Sequence, residues 1–85
     1  MEETLLSLIQ SGLPQAKVYL KSLNNSPENF EAIVIDESFE DISILSQQKI
    51  VMKLIQSYFQ YKLHAFSLKT FSPSRWESQK HKYNI

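Results

Sequence analysis

The 85-residue sequence contains no cysteine. That excludes disulfides and every site whose thiolate ligands come from this chain alone, zinc ribbons and self-contained iron–sulfur centres among them. Glycine occurs once, so the Gly-x-x-Gly loop with which an RNA-binding KH module approaches a backbone cannot be built. Neither sign of charge prevails, because nine Lys+Arg balance nine Asp+Glu. No global field draws in nucleic acid, an anionic membrane or an acidic substrate, and such a partner needs a local patch. The longest apolar runs are far too short to span a bilayer, and Glu2 and Glu3 stand where a leader would be basic. A soluble, cytoplasmic protein with no membrane partner is expected.

What remains is the composition of a folded domain: 42% hydrophobic against 21% charged residues, with 12% aromatic, enough to drive collapse where a disordered chain could not. A chain this short supports one core and leaves little room for a second domain or a deep cleft. Residues 1–85 are therefore read as one domain, with a polar C-terminal tail from about residue 78.

Leu5, Leu6, Ile9 and Leu13 recur at helical spacing, with Glu2 and Glu3 at the positive end; Gly12 then suits a left-handed cap, and Pro14 stops continuation. Lys17 to Lys21 alternates, Val18 and Leu20 on one face and Lys17, Tyr19 and Lys21 on the other, which predicts a half-buried strand. Turn chemistry at Asn24-Asn25-Ser26-Pro27 leads to Ala32-Ile33-Val34-Ile35, whose lack of polar interruption predicts a central strand in an antiparallel hairpin. Beyond the acidic turn Asp36–Asp41, Val51, Leu54, Ile55 and Tyr58 mark a long amphipathic helix, and one helix or two are open over residues 42–60. A third strand, Leu63 to Phe71, follows a crossover long enough to lie parallel to its neighbour. Ser72 suits an N-cap and Pro73 a first helical position, so a last short helix carries Trp76. The fold class expected is α+β, order α-β-β-α(α)-β-α: a two-layer sandwich of a three-stranded mixed sheet with its helices on one face.

The run Leu63-His64-Ala65-Phe66-Ser67-Leu68-Lys69-Thr70-Phe71-Ser72-Pro73-Ser74-Arg75-Trp76 resembles the C-terminal signature of the BolA family, a histidine-alanine-hydrophobic strand entering a Thr/Ser-Pro-x-x-Trp helix. Asn29-Phe30-Glu31-Ala32-Ile33-Val34-Ile35, then Glu37-Ser38-Phe39-Glu40, is similar to the family's second strand and acidic, Phe-containing turn. Gln47-Gln48-Lys49 replaces the basic Arg-His-Arg run of many members and is closer to the YrbA-like branch. Asn29 stands where many relatives place a histidine or cysteine. The resemblance implies a type II KH-like fold and a non-enzymatic adaptor in iron–sulfur trafficking or iron homeostasis. In that role the protein shares a [2Fe–2S] cluster with a monothiol glutaredoxin and glutathione, holds no cofactor in isolation, and is monomeric alone or at most a weak homodimer. The alternative is a KH-like nucleic-acid-binding regulator of a stress response; on the adaptor reading, nucleic-acid binding is expected to be weak and salt-sensitive.

By position alone His64 reads as a core-edge histidine satisfying a backbone carbonyl; the resemblance makes it a ligand to a cluster iron, held only together with the partner. His81, in Lys80-His81-Lys82, reads as a solvated side chain. Asp36, Glu37, Glu40 and Asp41 lack the glycine of a calcium loop and read as a solvated turn. Lys17, Tyr19, Lys21, Ser67 and Lys69 share one sheet face, as a single-strand binder would require, although alternating lysines also keep a sheet soluble. Trp76 reads as packing. No nucleophile, base and orienter stand at catalytic spacing.

Overall fold

The computed structural model describes residues 2–22, 29–62 and 65–83, with side chains at 3–22, 30–56 and 66–83. The expected turn at residues 24–27 and the strand-opening Leu63 and His64 lie outside the described residues, as does the side chain of Tyr58.

Helix α1 (Glu2–Gly12) buries Leu5 and Ile9 completely, with Leu13 following at the helix exit. Gly12 is the last helical residue and has no positive φ, so the left-handed cap expected there is not formed. The glycine is needed instead for close approach: a Cβ at position 12 would stand 2.5 Å from Leu54 Cδ2 and 2.9 Å from Cδ1. Gly12→Ala gains about 1 kcal/mol of helix propensity, but displacing the Leu54 methyls costs about 1–3 kcal/mol. We expect a net loss of stability in urea unfolding that vanishes or reverses in a Leu54→Ala background; purely additive effects would show that the two residues do not meet.

Strand β1 (Lys17–Ser22) pairs antiparallel with β2 (Asn29–Ile35), setting Lys17 opposite Ile35, Tyr19 opposite Ile33 and Lys21 opposite Glu31. Strand β3 (Ala65–Phe71) runs parallel to β2, from Asn29 beside Ala65 to Ile35 beside Phe71. The order β1-β2-β3 makes β2 central, and Ala32, Ile33, Val34 and Ile35 are all buried, as their apolar run predicts. A single helix, α2 (Ile44–Lys62), forms the crossover and settles the choice between one helix and two. Ser43 starts it, its Oγ accepting from Ser46 N at 3.2 Å, which satisfies one of the helix's unpaired first-turn donors.

Alternation along the strands gives the sheet two unlike faces. One carries Val18, Leu20, Phe30, Val34, Phe66 and Leu68 and packs under α1 and α2 with Val51 and Ile55. The other gathers Ile33, Ile35 and Phe71 with Tyr19, Tyr83 and the indole of Trp76, brought there by α3 (Pro73–Gln79). Helices on one face thus describes α1 and α2, while α3 turns to the opposite face. The reason lies in β2 itself, since an apolar strand needs cover on both sides. Past Gln79 the chain makes a 3-10 turn (Lys80–Lys82) and returns Tyr83 to the cluster, half-buried, 5.7 Å from both Phe71 and Trp76. This end of the expected polar tail is therefore packed.

Candidate functional site

Parallel pairing brings the N-terminal ends of β2 and β3 to one end of the sheet, where Asn29 and Ala65 are register partners. His64 immediately precedes Ala65 in the sequence and lies outside the described residues, as does the side chain of Asn29. The backbone register nonetheless sets the strand position of Asn29 beside the residue that adjoins His64. One step along both strands, Phe30 and Phe66 are partners on the helix-covered face, the first fully buried. On the helix-covered face this end is apolar, while the next register pair, Glu31 and Ser67, is polar and belongs to the other face.

Gln47 and Gln48 are occupied within the fold. Gln47 is 2% exposed; its Nε2 donates to Phe39 O at 3.1 Å and to Ile42 O at 2.8 Å, tying the acidic turn to α2. Gln48 Nε2 donates to Leu68 O, a carbonyl of the edge strand β3, at 3.2 Å. The structural work of Gln47 is invisible to hydropathy, yet it stands four residues before Val51 and eight before Ile55, on the buried stripe, and that spacing was the available signal.

At the opposite end of the sheet Asp36 and Glu40 are engaged by hydroxyls, and Asp36 is buried rather than solvated. Asp36 caps the 3-10 turn Glu37–Phe39, accepting from Ser38 N at 3.0 Å and from Ser38 Oγ. Asp41 adopts a positive φ of 63°, which its short polar side chain tolerates. Among the described residues no three of His, Cys, Asp and Glu group as a metal site. Hydroxyls of Ser72 and Ser74 hold the Glu40 carboxyl below its ordinary value of 4.5; Ser74 Oγ donates at 2.8 Å, and Ser72 Oγ lies 3.3 Å from Ser74 Oγ. A depressed folded-state value means that Glu40 favours the fold above its unfolded pKa and loses this contribution as pH falls through the folded one. Ser74→Ala should therefore move the Glu40 titration, followed by carboxyl NMR, towards higher pH; an unmoved midpoint would sever the link between this hydroxyl and the acid.

The Ser-Pro-x-x-Trp segment locks α3. Ser72 Oγ accepts from Arg75 N at 3.3 Å and Pro73 takes the first turn. Trp76 lies 5.3 Å from Phe71 and stacks on Tyr19 at 5.9 Å, while the Arg75 guanidinium sits 5.1 Å over Phe71. Of the residues read as a single-strand platform, Lys17, Lys21 and Lys69 are exposed, Ser67 is half-buried, and Tyr19 is occupied by Trp76. His81 is exposed on the last turn. Among the described residues no helix is long and apolar enough to cross a membrane.

Residues 10–75 match the family model described as BolA-like protein. The structure of a bolA protein homologue from Coxiella burnetii is 28% identical, with a TM-score of 0.74 over 91% of this chain and 96% of that one. An uncharacterized protein of Buchnera aphidicola is 27% identical over 77 residues, 89% of this chain and 94% of its own length. The BolA-like protein RP812 of Rickettsia prowazekii, at 24% identity, aligns in its NMR structure with a TM-score of 0.67 over 85% of this chain and 94% of that one.

Proposed function

The chain belongs to the BolA family, and from that premise we propose that it is a non-enzymatic adaptor that pairs with a monothiol glutaredoxin and glutathione around a shared [2Fe–2S] cluster, with His64 as its own ligand. The observation that carries this reading is the parallel register of β2 and β3, which sets the loop-side residue Asn29 beside Ala65, the neighbour of His64. The chain's donor chemistry supports a cluster shared with a partner. Neutral imidazole binds a cluster iron as it does in Rieske centres, while a chain without cysteine must take its sulfur ligands from glutaredoxin and glutathione. Placement in the YrbA-like branch belongs to the same proposal and rests on Gln47-Gln48-Lys49.

The test is an anaerobic mixture of this protein with a cluster-loaded monothiol glutaredoxin, followed by visible absorption and circular dichroism. A spectrum distinct from that of the glutaredoxin alone, with one cluster per heterodimer, is the expected result; spectra that merely add would overturn the proposal. The regulator alternative receives little from the glutamines, whose amide nitrogens donate to backbone carbonyls within the fold. A titration with DNA and RNA should show weak binding that fades steeply with salt, and nanomolar sequence-specific binding at physiological salt would favour the regulator.

A further inference from the structure

Strand β1 ends the sheet, and among the described residues no strand pairs with its outer side. A bare edge is a template for another extended segment. Two hollows flank this one. On the Trp76 side a cavity of about 430 Å³ runs along residues 18–21 and is bounded by Tyr19, Ile33, Glu31 and Tyr83. On the α1 side one of about 230 Å³ is bounded by Glu3, Leu6, Val18 and Leu20. Hollows on alternate faces of one free edge are what an added strand needs for its alternating side chains.

The charges choose the occupant. Lys17 and Lys21 flank Tyr19 on the side of the larger hollow, both are exposed, and neither forms an ion pair among the described residues. Glu31 stands opposite Lys21 in the register and shares its field, whereas the partner of Lys17 is the apolar Ile35. An antiparallel second copy centred on Tyr19 would set Lys17 against the other copy's Lys21 twice, and like charges directly opposite are destabilising. An incoming strand with acids at its first and fifth positions meets the two lysines favourably and places its third side chain over Tyr19, in the hollow closed by Ile33 and Tyr83.

We propose that the free edge of β1 is a docking site for an extended acidic segment of a partner protein, with the pattern acid-x-apolar-x-acid, added antiparallel as a fourth strand. This surface is independent of the cluster reading. The probe is a blocked five-residue peptide with aspartates at its ends, phenylalanine at the centre and valines between, titrated into the ¹⁵N-labelled full chain. Expected are shifts along residues 17–22, slowed amide exchange in β1, and at least tenfold weaker binding to Lys17→Glu/Lys21→Glu that is recovered by the peptide with lysines at its ends. Backbone N-methylation of the peptide should abolish binding. Absence of binding at millimolar peptide, shifts centred on Lys80–Lys82, equal affinity for acidic and basic peptides, or concentration-dependent self-association through β1 would each overturn the proposal.

Discussion

A His64→Ala variant mixed anaerobically with a cluster-loaded monothiol glutaredoxin and glutathione is expected to lose the mixed-complex visible spectrum entirely while keeping its unfolding transition. On the adaptor reading the imidazole is the only strong iron ligand this chain offers there, since it has no thiol and an amide at Asn29 is a poor substitute. The fold should persist because the described core, from Leu5 to Trp76, is assembled without residue 64. Association of the apo partners is expected to survive. With Asn29 in place of the histidine or cysteine of many relatives, the remaining ligand must come from glutathione or a partner thiolate, so the shared cluster should be labile. Asn29→His should retard its loss if the loop lets the ring approach iron to roughly 2 Å, the length of other metal–imidazole bonds. An unchanged spectrum in His64→Ala would sink the ligand role and return the residue to satisfying a carbonyl; a silent Asn29→His alone would fault only the loop geometry.

The largest effect on stability is expected from Trp76→Ala, at about 3–5 kcal/mol. The indole is 9% exposed, touches rings on three sides and closes the second face over Ile33 and Ile35. A domain of this length is stabilised by roughly 5–10 kcal/mol, so the truncation removes a large share, and Tyr83 loses one of its two ring contacts among the described residues. Trp76→Phe, which keeps a ring against Phe71, should cost far less. Since Trp76 is the sole tryptophan, unfolding in urea should be followed by far-UV circular dichroism. A loss below about 1 kcal/mol would mean that α3 does not hold this face.

Patterning alone revealed the order of elements, the central position of β2 and the Ser72-Pro73 start of α3, because each rests on a local rule of alternation or capping. Gly12 was legible as an end signal but misread in kind: spacing reports that a helix stops, whereas the need for a missing Cβ arises from Leu54, forty-two residues away in the chain. The apolar run of β2 signals that the second face needs cover, but that α3 supplies it depends on where Tyr19 and Ile33 stand, a tertiary fact without a local signature. Gln47 shows the converse, a polar residue on an apolar stripe that only its acceptors, Phe39 O and Ile42 O, explain. At the candidate site the sequence supplied His64 and Asn29 as chemistry; the parallel register sets Asn29 beside Ala65, while His64 itself lies outside the described residues.

That register also has a kinetic meaning. The hairpin of β1 and β2 forms by closing a short turn, but β3 joins β2 only after the whole span from Asp36 to His64, with α2 inside it, has been looped back. Pairing across such a span is slow to form, and β3 lies at the sheet's edge, where local opening needs less than global unfolding. An excursion that frees β3 separates Asn29 from Ala65 while the hairpin stays closed. The end of the molecule proposed to face the glutaredoxin is thus expected to assemble after the hairpin, and a partner that binds there would stabilise a late-forming contact.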